Sequence, residues 1–373
     1  MKRIYLLFAT LLTALALSCS KDDGGGGSNS PMANANNDPI KGVITLSVSI
    51  DQPQDVSFRN LWAADLEINW GDGNTTHEIA HHYSKRGNFK ITIKGTGIYS
   101  ISFCDGSSNI TAIDVRKCPN LESINCGSSQ ITGIDLTNSP HLKILECSNS
   151  YKISTLDLSR CMKIETLYCP WGGIEHIIFG SSTSLKYLTC NDNKLTSLDL
   201  SKASQIMEVS CSNNQLKELL FCDNNNLKVL YCNNNQIATL HLKISATTTP
   251  LVAIYCKNNK IENLEIISER PTYIECSNNN IKNLDLRQCL IITRVLAGHN
   301  QLENLHIDGC RALDLIDCSY NSLDNAALNA IYNSLPIPSQ NQWGSSFTIG
   351  IAGNNGTGDK SIAEAKGWKV VEF

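Results

Sequence analysis

Hydrophobic and polar residues recur along most of this chain with a long, regular period. In the stretch LKYLTCNDNKLTSLDL, Leu185, Leu188, Cys190, Asn193 and Leu195 occupy offsets 1, 4, 6, 9 and 11. The same spacing restarts 21 residues later in IMEVSCSNNQL. A period of this length predicts a solenoid, in which each coil adds one strand to a shared parallel sheet.

A column of cysteines aligns the copies of this repeat. Ala297 fills the only gap in the column, and a degenerate copy comes first at 98–115, where either Phe103 or Cys104 takes the cysteine's place. The cysteines at the sixth offset are Cys126, Cys147, Cys169, Cys190, Cys211, Cys232, Cys256, Cys276 and Cys318. The copies together extend over 98–323.

The alternation within one repeat predicts a short strand. Leu188 and Cys190 point into the core, whereas Thr189 points outward. The asparagine three residues after the cysteine is expected to be buried, where its amide bonds backbone groups that the following bend leaves unpaired. These asparagines are Asn193, Asn214, Asn235, Asn259, Asn279, Asn300 and Asn321. The LDL half of the repeat predicts a second strand on another side of the coil, with turns and 3₁₀ segments between the strands.

The offsets match the template LxxLxLxxNxL with cysteine at the third leucine, so the chain resembles the leucine-rich-repeat family. The resemblance implies an α/β-type repeat solenoid that is mostly β, with turns and 3₁₀ pieces. We expect a small β-sandwich-like segment before it and an α/β cap after it. Two looser repeats, near 174–180 and 243–250, are interpreted as bulges or loops on the convex side.

The first residues indicate export. MKRIYLLFATLLTALALSCS has a basic start and an apolar run over 4–17 that is too short to span a bilayer. Ala16-Leu17-Ser18-Cys19 resembles the lipobox of bacterial lipoproteins, and Ser20-Lys21-Asp22-Asp23 resembles a surface-export signal of Gram-negative lipoproteins. We therefore expect a lipoprotein signal peptide over 1–19 with Cys19 lipidated, a flexible linker over 20–39, and a lipid anchor in the outer membrane at the cell surface. An ordinary cleaved signal peptide is the alternative.

Sixteen cysteines in an exported chain would ordinarily suggest disulfides. However, cysteines on adjacent in-register strands have Cβ atoms about 4.8 Å apart, beyond the usual disulfide range of about 3.5–4.5 Å. We therefore predict buried free thiols. A second set with a packing role comprises Cys118, Cys161, Cys222, Cys289 and Cys310. No paired CxxC spacing occurs, so no metal or cofactor is predicted.

Residues 40–97 do not follow the repeat, and 43–50 and 89–93 alternate like strands. Between these strands the chain resembles the WGDG…HxYxxxG signature of PKD domains, which are Ig-like β-sandwiches. The matching residues are Trp70, Gly71, Asp72, Gly73, His81, Tyr83 and Gly87. The resemblance implies a truncated PKD-like segment that serves as an N-terminal cap.

The same segment contains His77-Glu78-Ile79-Ala80-His81, which spells the zinc-metalloprotease motif HExxH. That chemistry requires a helix, so that both histidines share a face and the glutamate can act as general base. Here the flanks are strand-like, and an extended strand would hold the two histidines about 13 Å apart. We favour a non-catalytic strand and predict no enzyme; a zinc metalloprotease is the weakest alternative.

The last residues predict a cap over 324–373. DNAALNAIYNSLP has apolar residues at helical spacing and ends at Pro336. A strand over 347–354, a short helix ending before Gly367 and a final strand over 368–372 follow. Such an atypical end hides the open core of a solenoid.

The resemblance implies macromolecule binding on the concave sheet, so candidate ligand-binding residues are sought at outward positions. These residues are Tyr168, Trp171, Tyr187, Tyr231, Tyr255, Tyr273 and Arg294. Their charged or polar neighbours are Glu146, Glu208, Lys257, Glu275, His299 and Asp317. Only 6% of the chain is aromatic, so this concentration is unusual. Tyrosines offer rigid contact area with a polar tip.

Three interpretations of this surface remain open: a protein or peptide ligand, a glycan ligand, and tyrosine stacking that only stabilises the sheet. Glycan binding predicts coplanar, spaced aromatic faces, whereas protein binding predicts a mixed apolar and charged surface. The net charge of −4, without a basic cluster, argues against nucleic acid. We expect a monomer that contacts membrane only through its lipid. The second-half aspartates, interpreted as a solvated face, are Asp114, Asp135, Asp157, Asp199 and Asp285.

Overall fold

The computed structural model describes residues 41–104, 107–181, 183–223, 226–244, 253–337 and 347–372. The predicted signal peptide, Cys19 and the linker lie outside the described residues, and they stay predictions. None of the described helices is long and apolar enough to cross a bilayer.

The N-terminal part forms two facing sheets. Its strands are β1 (Lys41–Ile50), β2 (Gln54–Arg59), β3 (Glu67–Asn69), β4 (Thr75–Thr76), β5 (Ala80–Tyr83), β6 (Gly87–Thr96), β7 (Ser100–Phe103) and β8 (Ile110–Lys117). Five of them form an antiparallel sheet in the order β4-β3-β6-β1-β8. The alternation predicted over 43–50 is confirmed in β1, where Ile44, Leu46 and Val48 are buried. This part is the small β-sandwich-like segment that the sequence predicts.

The repeats supply eighteen short strands. They are β9 (Ser123–Asn125), β10 (Ile144–Glu146), β11 (Thr155–Asp157), β12 (Thr166–Tyr168), β13 (His176–Ile178), β14 (Tyr187–Thr189), β15 (Ser197–Leu200), β16 (Glu208–Ser210), β17 (Glu218–Phe221), β18 (Val229–Tyr231), β19 (Thr239–Lys243), β20 (Ala253–Tyr255), β21 (Asn263–Ile267), β22 (Tyr273–Glu275), β23 (Asn283–Asp285), β24 (Arg294–Leu296), β25 (Asn304–His306) and β26 (Leu315–Asp317). β9 and the even-numbered strands from β10 to β26 lie parallel in one sheet, which we call the long sheet. The predicted solenoid is therefore confirmed.

The long sheet continues into the N-terminal segment. β7 pairs parallel with β9, and β2 and β5 extend the same edge in antiparallel orientation. The register pairs Ser102 with Asn125, which places Phe103 at the level of Cys126. Phe103 therefore takes the cysteine's place in the degenerate first repeat, while Cys104 is only half-buried. The first coil of the solenoid thus shares its core with the sandwich.

The second half of the repeat makes the expected second strand. The odd-numbered strands pair as β11–β13, β15–β17, β19–β21 and β23–β25, all parallel. The interpretation of 174–180 as a bulge or loop is wrong, because β13 lies there and pairs in register with β11. Residues 245–250 of the other loose repeat lie outside the described residues. Turns join the strands, with a 3₁₀ segment at Ser107–Asn109.

The C-terminal cap follows the predicted order of elements. It contains α1 (Asn325–Ser334), β27 (Thr348–Gly350), α2 (Lys360–Glu364) and β28 (Lys369–Val371). The Asp324 carboxylate accepts the Ala327 N–H at 2.8 Å and thereby caps α1. β27 and β28 extend the long sheet past β26, and Trp368 is buried beneath them. The cap therefore closes the end of the hydrophobic core.

Candidate ligand-binding surface

Asparagines hold the turn that follows each strand of the long sheet from β14 to β26. Asn259 and Asn300 are half-buried, and the other five are buried, as the sequence predicts for the column. Asn193 Nδ2 donates to the Cys169 and Cys190 carbonyls at 2.8 and 3.1 Å, and its Oδ1 accepts the Ile174 N–H at 3.0 Å. Each asparagine thus ties its own coil to the preceding one, as the sequence predicts. The column also continues into the cap, because Asn354 Nδ2 donates to the Cys318 and Ile351 carbonyls.

All described cysteines are free thiols, and the cysteine column is buried. Burial raises the pKa of the Cys211, Cys276 and Cys318 thiols to about 12. These thiols therefore stay protonated and act as small apolar side chains. This packing fixes the register of the strands, and the register decides which outward side chains meet.

Three tyrosines from successive coils meet on the outward face of the long sheet, and we call Tyr231, Tyr255 and Tyr273 the tyrosine stack. The ring centroids of Tyr231 and Tyr255 lie 4.6 Å apart with a 12° angle between the planes. Those of Tyr255 and Tyr273 lie 5.0 Å apart at 34°. In the strand register, Tyr231 lies opposite Tyr255. Tyr273 lies opposite the small Ala253, and its ring extends over Ala253 to contact Tyr255. The sequence-predicted patch is thus one continuous, half-buried aromatic cluster.

Charged side chains border the tyrosine stack. Glu275 accepts a hydrogen bond from Tyr273 Oη at 3.5 Å and lies 3.5 Å from Lys257 Nζ. Arg294, which pairs in register with Tyr273, forms an ion pair with Asp314 at 3.3 Å. Burial raises the pKa of the Tyr255 and Tyr273 hydroxyls, and the Glu275 charge raises both further. These hydroxyls are therefore neutral donors at physiological pH.

The remaining sheet residues form a second group nearer the N-terminus. Tyr168 and Tyr187 project from neighbouring strands β12 and β14, separated from the tyrosine stack by β16. Glu146, opposite Tyr168, accepts hydrogen bonds from Asn125 Nδ2 at 2.6 Å and Ser148 Oγ at 3.3 Å. Burial nevertheless raises the pKa of Glu146. On β16, burial likewise raises the pKa of Glu208.

Trp171 and His299 do not lie on the sheet, so their placement from the sequence is wrong. Each lies two residues after the column position, where the backbone turns off the strand with a φ of 56°. Ten described coils repeat this left-handed turn. The residues concerned are Ser128, Asn149, Trp171, Asp192, Asn213, Asn234, Asn258, Asn278, His299 and Tyr320. Their side chains form a second column along the edge of the long sheet, which we call the edge column.

The edge column contains a ladder of exposed amides that the sequence analysis did not identify. Asn213 Nδ2 donates to Asp192 Oδ1 at 2.8 Å, and Asn234 donates to Asn213 at 2.6 Å. Asn258 and Asn278 continue the ladder at 2.6 and 2.8 Å. The sequence does contain a signal for this ladder. In these coils an asparagine or aspartate directly precedes each asparagine of the inner column.

The HExxH residues do not form a metal site. His77 Nδ1 lies 2.5 Å from the Leu66 carbonyl oxygen, whereas His81 Nε2 lies 2.7 Å from Asp72 Oδ2. The chain bends at His77 and enters β5 at Ala80, so no helix brings the two rings together. Within the described ranges, no group of three His, Cys, Asp or Glu side chains is placed to hold a metal ion.

The residues of the WGDG motif instead pack the N-terminal segment. The Trp70 ring is buried, the His81 ring stacks on it at 5.0 Å, and Tyr83 Oη donates to the Trp70 carbonyl at 2.7 Å. Gly71 adopts a φ of 81°, and a Cβ there would lie 2.6 Å from the Lys90 carbonyl. Packing and turn geometry therefore account for these residues.

Four of the second-half aspartates are exposed and Asp114 is half-buried, and Asp114 and Asp285 also close turns. Asp285 Oδ1 accepts the Arg287 N–H at 3.0 Å, and Arg287 bonds the same carboxylate through its guanidinium. Hydrogen bonds from Arg287 lower the pKa of Asp285 to about 2. Asp114 and Arg116 repeat this arrangement. The carboxylates of Asp114 and Asp285 therefore close the turns that follow them.

No family model matches the sequence, and no curated protein matches it. Among solved structures, an internalin (inlF) from Listeria monocytogenes is similar at 18% identity and a TM-score of 0.48, covering 69% of this chain and 75% of that one. The functional domain of InlJ from Listeria monocytogenes, described as including a cysteine ladder, is 18% identical with a TM-score of 0.40, covering 68% and 64%. A leucine-rich repeat protein from Bacteroides thetaiotaomicron is 16% identical with a TM-score of 0.42, covering 64% and 35%.

The fold class is defined by the repeats of this chain rather than by these distant similarities. The repeat pattern, the in-register parallel sheet, the cysteine column and the buried asparagines together make it a leucine-rich-repeat solenoid.

Proposed function

We propose that the protein is a non-catalytic binding module that recognises a protein or peptide on the outward face of the long sheet. The observation that carries this proposal is the tyrosine stack with its border of Lys257, Glu275 and Arg294. Tyrosine and arginine are the residues enriched at the energetic centres of protein interfaces. Packing accounts for the inward residues of the repeat, so we assign recognition to the outward side chains.

The arrangement of the rings favours a protein over a glycan at this site. A sugar ring needs an open aromatic face, whereas the two faces of Tyr255 are directed at Tyr231 and Tyr273. The stack instead presents ring edges and hydroxyls beside charges of both signs. This is the mixed apolar and charged surface that suits a protein partner.

The first experiment is a binding screen of the purified chain against an array of cell-surface proteins and polysaccharides. The Tyr231→Ala, Tyr255→Ala double variant is the test, and Tyr99→Ala is the matched control, because Tyr99 is exposed away from the stack. Protein hits that the double variant loses and Tyr99→Ala keeps support the proposal. Hits that survive in the double variant contradict it.

A separate variant distinguishes recognition from simple stabilisation of the sheet. Tyr255→Phe keeps the stacked ring and removes only the hydroxyl. If the stack serves recognition, the Tyr255→Phe variant keeps its stability and loses affinity. If the stack only stabilises the sheet, no array ligand distinguishes Tyr255→Phe or the double variant from the parent chain.

We also propose that the chain is anchored to the outer membrane by a lipid on Cys19 and displays a PKD-like segment and the solenoid at the cell surface. The lipobox-like Ala16-Leu17-Ser18-Cys19 and the acidic residues after it support this location. Cys19→Ala should abolish incorporation of labelled fatty acid and release the protein from the membrane fraction. Cys222→Ala is the control, and continued labelling of the Cys19→Ala variant would contradict the anchor.

A further inference from the structure

The edge column is a second surface, distinct from the tyrosine stack, and its left-handed backbone does not explain the presence of Trp171 and Tyr320. A left-handed residue with a φ of 55–57° recurs in successive coils. Asparagine and aspartate tolerate that conformation, so the central positions are unstrained. Trp171 and Tyr320 are bulky residues in the same conformation, where they are backbone outliers.

The Trp171 side chain is 49% exposed, and no ring contact with another described aromatic residue covers it. Seven coil steps away, at the last position of the edge column, the Tyr320 ring stacks on His299 at 4.4 Å, and Tyr320 is 48% exposed. The His299 ring therefore packs against Tyr320, whereas Trp171 has no such aromatic neighbour among the described residues. An exposed indole held in a strained turn points to a role in recognition.

The exposed amides between Trp171 and Tyr320 have unused hydrogen-bonding capacity. In the ladder from Asp192 to Asn278, each internal asparagine donates one N–H to the preceding coil and accepts one from the next. The second N–H and the second lone pair of each exposed amide remain for solvent or a ligand. The ladder thus offers alternating donors and acceptors at the coil spacing of about 4.8 Å.

We propose that this edge binds a linear, neutral polysaccharide, with Trp171 stacking on one sugar ring and the amide ladder bonding the hydroxyls of the following sugars. A polyhydroxyl chain needs paired donors and acceptors and an open aromatic face, and the edge supplies both. Protein interfaces need an apolar, desolvated centre, which the ladder lacks. The seven coil steps from Trp171 to Tyr320 extend over about 34 Å at the strand spacing, which suits a chain rather than a single sugar.

The charges along the edge agree with a neutral ligand. Asp192 is the one ionisable residue within the ladder, and it accepts the Asn213 amide. The residues that precede Asp192, Asn213, Asn234 and Asn278 are uncharged: Asn191, Ser212, Asn233 and Ser277. Lys257, which precedes Asn258, forms an ion pair with Glu275 at 3.5 Å. An acidic polysaccharide would meet the Asp192 carboxylate without a cationic row to offset it.

Affinity electrophoresis of the full chain tests this proposal. The gels contain hydroxyethyl cellulose, galactomannan or dextran as neutral probes, and polygalacturonate as the acidic probe. Trp171→Asn places the residue that this backbone favours at the strained position, so the variant should fold with an unchanged or higher Tm. The Tyr231→Ala, Tyr255→Ala variant reports on the other surface.

The proposal expects at least one neutral probe to retard the parent chain. Trp171→Asn should weaken that binding about tenfold or more, equivalent to the loss of one stacking contact. The Asn234→Gly, Asn258→Gly variant should also weaken binding of the neutral probe, and glycine tolerates the positive φ at both positions. The Tyr231→Ala, Tyr255→Ala variant should leave this binding unchanged. The proposal is overturned if no neutral probe binds, if only polygalacturonate binds, or if Trp171→Asn binds as tightly as the parent.

Discussion

The buried asparagine column makes the sharpest prediction about stability, and Asn214 is its best test. Asn214 Nδ2 donates to the Cys190 and Cys211 carbonyls at 2.9 and 3.0 Å. Its Oδ1 accepts the buried Leu195 N–H at 3.0 Å. Asn214→Ala removes these bonds and leaves backbone groups without partners where water does not reach them.

The expected loss follows from these three bonds. A buried group left unsatisfied costs about 1–3 kcal/mol, and relaxation of the turn recovers part of the sum. We therefore expect Asn214→Ala to lower the free energy of unfolding by about 3–5 kcal/mol. That loss is a large fraction of the ~5–15 kcal/mol by which a folded domain is typically stable.

Asn213 is the matched control, because it is the adjacent residue and the same amino acid but is exposed in the edge column. Asn213→Gly removes two exposed amide bonds and suits the φ of 57°, so we expect a change within about 0.5 kcal/mol. Both variants are measured by urea unfolding followed by far-UV circular dichroism. A loss below about 1 kcal/mol for Asn214→Ala, or equal losses for both variants, would refute the role assigned to the buried column.

Three further predictions concern other parts of the chain. The buried thiols of the cysteine column, such as Cys211, should resist Ellman's reagent in the native protein and react once guanidinium chloride unfolds it. The half-buried Cys104 and Cys222 should react first. Rapid labelling of Cys211 in the native protein would contradict its burial. Burial raises the pKa of Glu146, so the folded state holds this proton more tightly than the unfolded state does. The contribution of this carboxyl to the free energy of unfolding is therefore lost as the pH rises through the folded pKa. The Tm of Glu146→Gln minus the Tm of the parent should therefore increase from pH 4 to pH 7. A Tm difference that does not change over this range would contradict the prediction. Trp70→Phe loses the Nε1–H bond to Thr76 Oγ1 at 2.9 Å and part of a buried ring, and should cost about 1–3 kcal/mol in urea unfolding, with an unchanged midpoint as the contrary result.

The solenoid was readable from the sequence because its rule is local and repeated. One strand per coil, with a cysteine in nine coils and an asparagine in seven, indicates the sheet, the core and the turn. The cap was readable for a similar reason, since α1 has helical spacing and a carboxylate cap at Asp324. The loose repeat at 174–180 misled the interpretation, because Ile177 on β13 pairs with Leu156 even though its neighbours break the pattern.

The surface was harder to predict, because it depends on the backbone conformation at single residues. Counting positions from the cysteine placed Trp171 and His299 on the sheet, whereas a left-handed turn moves both to its edge. The amide ladder was missed because asparagine at such a turn has a sufficient conformational explanation. The tyrosine stack was predicted as a patch, but the tilt of Tyr273 across Ala253 depends on packing between coils.

Hydroxyl-radical footprinting of the complex with an array-identified protein ligand tests the central claim most directly. The oxidised side chains are quantified by mass spectrometry with and without ligand. We predict that Tyr231, Tyr255 and Tyr273 become protected together, while Trp62 and Tyr151, exposed at 65% and 67%, stay unchanged. Protection of Trp62 or Tyr151 with an unchanged tyrosine stack would contradict recognition on the long sheet.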